Sequence, residues 1–168
     1  KWSSLLRNKR ANGAQLRTTI AFYDWIKESF YTNKPYDWFV REIVAASGDI
    51  DQSPPSAWFK QVSSQQAQME DTAQLFLGLR IQCARCHHHP FEKWSQNDYY
   101  GFSAFFSRVA KKTITVPGFL RTARDRRIVH NPGAASANNP RSGETLKPTR
   151  LGSPALAILA DHDPRQYL

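Results

Sequence analysis

Cysteine and methionine are nearly absent from this sequence, long apolar runs are missing from it, and acidic residues are scarce along one stretch. Two cysteines in 168 residues permit at most one disulfide, so no disulfide framework holds the fold. No run approaches the roughly 18 consecutive apolar residues that a membrane-spanning helix needs, which excludes a helical span within these residues. Disorder is not the default either: 40% hydrophobic and 12% aromatic residues suffice for a core in a chain about the size of one ordinary domain. The first residue is Lys1, with no charged-then-apolar segment after it. We therefore expect a mature or excised piece of a longer protein whose targeting segment lies elsewhere.

Acids are scarce where bases are dense. From Arg108 to Arg150 stand ten Lys or Arg against two acids, Asp125 and Glu144, while the rest of the chain is close to neutral. A basic segment attracts nucleic acid, anionic lipid or an acidic partner, but an extended strap also needs charge for solubility alone. This segment has Pro and Gly and few aromatics to stack on bases, so nucleic acid is not the expected partner.

The apolar pattern predicts a mainly α fold. Trp2, Leu5 and Leu6 share a helical face, as in the closing turns of a helix, and Asn12-Gly13 breaks it. Leu16, Ile20, Tyr23, Ile26 and Phe30 recur at three- and four-residue steps, predicting a helix over 14–31 that buries them and exposes Arg17, Asp24, Lys27 and Glu28. Pro35 suits the first turn of the next helix, with Tyr36, Phe39, Val40, Ile43 and Val44 inward and Gly48 as its stop. Residues 49–56 read as a loop, because Pro54-Pro55 opposes a helix, and Trp58 and Phe59 read as core anchors rather than a stacking platform.

Met69, Ala73, Phe76, Leu77 and Arg80 mark a helix running straight into Cys83. Ser95, with Asp98 three residues on, caps another that carries Tyr99, Tyr100, Phe102, Phe105, Phe106 and Val109. After Lys112, β-like runs at 113–116 and 127–129 flank Pro117-Gly118 and are expected to pair as a short ribbon. Residues 131–148 read as loop, 151–159 as a short apolar stretch and 161–168 as the start of another element. The expected division is a helical core over 1–110 and an extended basic strap and linker over 111–168, leading toward a following domain.

Both cysteines and three of the five histidines fall within Cys83-Ala84-Arg85-Cys86-His87-His88-His89. Three chemistries compete for them. A disulfide or redox pair is one, but a redox Cys-x-x-Cys usually follows a strand in a βαβ unit, and a helix-like segment precedes this one. A tetrahedral zinc site is the second. Histidines one and three positions after Cys86 are too close for the usual second ligand pair, although distant His130 or His162 could complete such a site. Covalent haem is the third: each thiol adds across a haem vinyl group and His87 ligates the iron. A histidine directly after the second cysteine arises by chance only about 3% of the time, which makes this the leading reading. Phe76, Leu77, Leu79, Phe91, Trp94, Tyr99, Phe102 and Phe105 would supply the low-dielectric surround.

With one covalent haem c per chain, the sixth iron ligand is the open question. Met69 would give a His/Met iron, though a lone methionine on a helix face is more often core. His130 or His162 would give a bis-His iron, and His130, at the end of a β-like run, is the candidate favoured here. An empty sixth position would admit small molecules. His89 is too near His87 to reach the opposite face of the ring and suits a hydrogen bond to a haem propionate; arginines of the basic segment could pair with propionates as well.

The run from Gln74 to Trp94 resembles the second cytochrome-like domain of large secreted planctomycete proteins of unknown function. Gln96, Asp98-Tyr99-Tyr100, Ala104-Phe105-Phe106 and Asn33 to Glu42 fit the same family, and Pro140 to Glu144 with Asp163-Pro164-Arg165 resembles the passage into the domain that usually follows it. The resemblance implies Cys83 and Cys86 as attachment points and His87 as ligand. The family commonly has Asp where this chain has His88, so His88 is not expected as an obligatory ligand. A periplasmic or secreted location follows from the resemblance, and also from the motif, since haem is attached covalently outside the cytoplasm. The expected function is an electron-transfer module serving a redox partner or other domains of its parent chain. Alternatives are a haem enzyme with an open sixth site and a structural Cys/His zinc domain.

Overall fold

The computed structural model describes residues 1–9, 16–116 and 123–168, and its regular structure is mainly helical with two small two-stranded sheets. The chain groups into two compact units, Lys1–Ser63 with Ala110–His130 and Ser64–Val109 with Asn131–Leu168, so each unit takes residues from both halves of the sequence. The Asn12-Gly13 break and the Pro117-Gly118 turn lie outside the described residues.

In the first unit, α1 (Trp2–Leu5) lays Trp2 edge-on against Phe39 with ring centroids 5.4 Å apart, and Leu6 is fully buried just after it. Helix α2 (Leu16–Tyr31) forms where expected but buries a different face. Phe22, Ile26 and Ser29 point inward, while Leu16, Ile20, Tyr23 and Phe30 stay about half exposed. Periodicity locates an apolar stripe; its partners decide which part is covered, and here the 3-10 turn Pro54–Ser56 and α4 (Ala57–Gln61) pack on α2.

Asn33 takes a left-handed conformation (φ 50°) between α2 and α3 (Tyr36–Val44), one that asparagine tolerates better than most residues. Pro35 sits one position before α3, at its N-cap, and Phe39, Ile43 and Val44 are buried, but Tyr36 is half exposed. Gly48 is not the stop of α3, which ends four residues earlier. Its amide and carbonyl instead bridge to Ile128 at 2.8 and 2.9 Å with φ at +102°. Pro54-Pro55 begins a 3-10 turn, since a proline costs nothing at a helical start, and Trp58 and Phe59 on α4 are fully buried, as core anchors should be. Strands β1 (Val109–Val116) and β2 (Ala123–His130) pair in a two-stranded sheet, longer than the two β-like runs predict.

In the second unit, α5 (Gln65–Phe76) is capped by Ser64 and does not run into Cys83. The amides of Leu77 and Leu79 both turn back to the Ala73 carbonyl, and Gly78 between them adopts φ +70°, which ends the helix. A 3-10 turn over Ile81–Arg85 follows. Helix α6 (Gln96–Ser103) starts with the expected capping box: the Ser95 hydroxyl accepts from the Asp98 amide and the Asp98 carboxylate accepts from the Ser95 amide. It gives way to a 3-10 turn at Ala104–Phe106, so Val109 belongs to β1 rather than to an aromatic helix.

Residues 131–148 contain a two-residue ladder, β3 (Ala137–Asn138) against β4 (Thr145–Leu146), antiparallel with Ala137 opposite Leu146. This hairpin lies on α6, and the Thr149 amide donates to the Gly101 carbonyl at 3.0 Å. A Cβ at Gly101 would stand 2.9 Å from that of Thr149, so only glycine lets the two backbones meet. The final residues close in a 3-10 turn, Pro164–Tyr167, whose buried Arg165 is held by both carboxylate oxygens of Asp163.

Candidate functional site

The cysteines lie on a turn whose two faces differ in chemistry. In a 3-10 helix, side chains at i and i+3 eclipse. Ile81 and Ala84 form one such pair and are fully buried, while Cys83 and Cys86 form the other and are exposed, with free thiols. Helices α5 and α6 pack against the turn. Its end is held from α6, where the Gln96 side-chain amide and the Tyr100 hydroxyl both donate to the Arg85 carbonyl, at 3.1 and 3.2 Å.

The three histidines differ in what they touch. His87 is exposed, and its Nδ1 lies 2.6 Å from the His88 carbonyl. A ring nitrogen facing a carbonyl must donate, so Nδ1 carries the proton and Nε2 of the neutral ring keeps a lone pair for a metal. His88 is exposed and lines a surface cavity of about 510 Å³ with Asn97, Asn139 and Arg141. His89 is engaged at both nitrogens by backbone: Nδ1 accepts from the Phe91 amide at 3.3 Å, so Nε2 donates to the Arg80 carbonyl at 2.9 Å. With the His89 amide bonded to the Trp94 carbonyl at 2.9 Å, this ring closes the loop after the cysteines.

The other expected ligands are dispersed. Met69 is fully buried on α5. His162, in the second unit, has Nδ1 2.5 Å from the Tyr167 hydroxyl and stacks on that ring. His130 ends β2 in the first unit, and its Nε2 is buried without a hydrogen-bond partner among the described residues. Among the described residues no group of three or more His, Cys, Asp and Glu converges as a metal ion would require. Of the apolar residues expected near the motif, Tyr99, Phe102 and Phe105 belong to the core, whereas Leu77 is 52% and Phe91 93% exposed.

Zinc and a covalent haem ask different things of these residues. Zinc needs four donors aimed at one point. A haem needs two thiols at the edge of its ring and one imidazole at the centre, which do not converge. The Trp94 indole N–H, in the loop closed by His89, is buried without an acceptor among the described residues, an arrangement that a carboxylate arriving with a bound group would relieve.

The PSCyt2 family model, described as a protein of unknown function (DUF1549), matches residues 1–111. The chain belongs to that family. No curated protein and no solved structure matches it. The stretch shared with PSCyt2 proteins contains the whole cysteine motif and both helices packed on its turn, and it ends inside β1.

Three features had no signal in the sequence. The pairing of Gln96 and Tyr100 with the Arg85 carbonyl is one, and the orphan Trp94 donor is another. The third joins Tyr99 to Glu70, 29 positions away, by a 2.6 Å hydrogen bond. Burial, with the Glu70 carboxylate beside it, pushes the Tyr99 phenol well above its usual pKa.

Proposed function

We propose that this chain is a c-type haem domain that passes single electrons within a larger periplasmic or secreted redox protein, of the cytochrome-like kind found in planctomycetes. The observation that carries this reading is the pair of free, exposed thiols of Cys83, in the Ile81–Arg85 turn, and Cys86, which ends it, followed at once by a histidine whose Nδ1 is already committed. Cys83 and Cys86 would hold one haem c through thioethers, and His87 would ligate its iron. The bound haem supplies a one-electron couple. The Nδ1 bond to the His88 carbonyl orients the His87 ring and leaves Nε2 to face a metal. Ile81 and Ala84 anchor the turn from below. Its partners are a redox protein or other domains of the parent chain.

The test is a pyridine haemochrome spectrum on the denatured protein after expression with a haem c maturation system. A thioether haem stays with the chain through acid-acetone extraction; loss of all haem signal refutes covalent attachment. Zinc found without iron by elemental analysis would establish the structural metal domain instead.

One observation favours a second reading. Within the second unit the other candidate ligands are occupied: Met69 by the core, His89 by backbone and His162 by Tyr167. If His130 does not ligate either, the sixth position is open and peroxide or another small molecule can react there. Rapid carbon monoxide binding to the reduced protein supports this enzyme reading, and a six-coordinate, unreactive iron rejects it.

A further inference from the structure

Tyr99 is fully buried on α6, and its hydroxyl donates to the Glu70 carboxylate of α5 at 2.6 Å. Its ring meets that of Tyr100 edge-on with centroids 5.0 Å apart, and the Tyr100 hydroxyl donates to the carbonyl of Arg85, the residue before Cys86. A buried phenol needs an acceptor in any fold. Here, however, the acceptor is a carboxylate, and a second phenol links the first to the backbone of the cysteine turn.

We propose that Tyr99, Tyr100 and Glu70 form a proton-coupled redox site beside the cysteine turn, where Tyr99 gives one electron to a one-electron oxidant, an oxyl radical derived from peroxide, and its phenolic proton to Glu70. The step balances. The Tyr99 O–H bond breaks, the electron reduces the oxidant by one unit, the proton joins Glu70 Oε1, and a neutral phenoxyl radical remains. Removing the electron alone would leave a cation in a buried site, which is costly. A carboxylate already at hydrogen-bond distance lets proton and electron leave together, as a positioned base does in proton transfer. Tyr100 provides the aromatic path between the turn and Tyr99. The site would drain oxidising equivalents away from the thiols and His87. It does not rest on the haem reading, because the oxidant can be delivered to the haem-free chain.

The exposed thiols provide the means of testing it. In the full chain with Cys86→Ser, a maleimide-linked ruthenium polypyridyl is attached at Cys83 and photo-oxidised in the presence of persulfate. The oxidised label should be refilled from the protein, with a tyrosyl radical seen by transient absorption and by electron paramagnetic resonance. Tyr99→Phe, which keeps the ring and so the packing, should abolish the radical. Tyr100→Leu, which removes the aromatic path, should slow the refilling, and Glu70→Gln should slow it by about 10²-fold, the usual worth of a positioned base. A radical that persists in Tyr99→Phe, on any of the other tyrosines, overturns the proposal. So does an unchanged rate in Glu70→Gln. If that variant does not fold, the wild type in heavy water decides: a slowed transfer upholds coupled proton movement, and an unchanged rate refutes it.

Discussion

Replacing Ile81 should unseat the cysteine turn, and the size of the effect can be worked out from the fold. Ile81 is fully buried on the inward face of the turn, against which α5 and α6 pack. Ile81→Ala removes three carbons beyond Cβ, at about 0.8 kcal/mol each; the cavity left behind raises the total to about 3–4 kcal/mol. Ile81→Val removes one carbon and should cost about 1 kcal/mol. Since a domain of this size is stable by only about 5–15 kcal/mol, the alanine variant should open the second unit measurably more often. Urea unfolding followed by far-UV circular dichroism gives the global cost. Amide hydrogen exchange at Leu79 and Tyr99, residues of the chain around the turn, gives the local one. An alanine variant that costs no more than the valine variant would refute the claim that Ile81 anchors the motif. In the haem-loaded protein, the same variant should carry less attached haem per chain.

Three further outcomes follow from single contacts. Asp49 accepts from Arg127 at 3.0 Å, and that hydrogen bond is the main cause that holds its carboxyl below the usual range. A carboxyl depressed in the folded state stabilises the first unit above the unfolded pKa of about 3.9 and loses that contribution as pH falls through its lower folded value. Arg127→Leu should therefore remove a stabilisation seen at pH 7 and absent in strong acid; equal effects at both pH values would refute it. Ser95→Ala breaks the capping box of α6 and should cost about 1 kcal/mol in urea unfolding, while Ser95→Asp should recover most of it. Trp94→Phe deletes a buried indole N–H that has no acceptor, so in the haem-free chain it should cost under about 1 kcal/mol; a loss above about 2 kcal/mol would mean that the donor is satisfied.

Local chemistry was legible in the sequence, and partner choice was not. The Ser95 and Asp98 capping box, the start of α3 at Pro35 and the burial of Trp58 and Phe59 all follow from a few neighbouring residues. The buried face of α2 does not. Its stripe of Leu16, Ile20, Tyr23, Ile26 and Phe30 has a clear helical period, yet only Ile26 of these is buried, because the Pro54–Ser56 turn and α4 cover the neighbouring face. The end of α5 departs from the apolar pattern for a related reason. Apolar residues continue past Phe76 at helical spacing, but Gly78 in a left-handed conformation stops the helix whatever the period says. The ladder between β3 and β4 escaped notice because two residues a side are too few to show alternation.

At the cysteine motif the same division has a chemical consequence. Attachment of a large ring requires thiols that face solvent, so their own side of the turn can contribute little to holding the turn in place. The seat must come from the other side. There the chain supplies Ile81 and Ala84 as buried anchors and two donors, Gln96 and Tyr100, on one carbonyl. None of these is recognisable from Cys-x-x-Cys-His itself, since the donors lie 11 and 15 positions beyond the residue they hold. The motif therefore names the reactive atoms, whereas the residues that fix their position belong to α6. Loss of both donors should loosen the turn while leaving every atom of the motif unchanged. Gln96→Ala with Tyr100→Phe should accordingly lower haem attachment in a protein whose Cys83, Cys86 and His87 are all intact, and full attachment in that double variant would show that the turn holds its shape without α6.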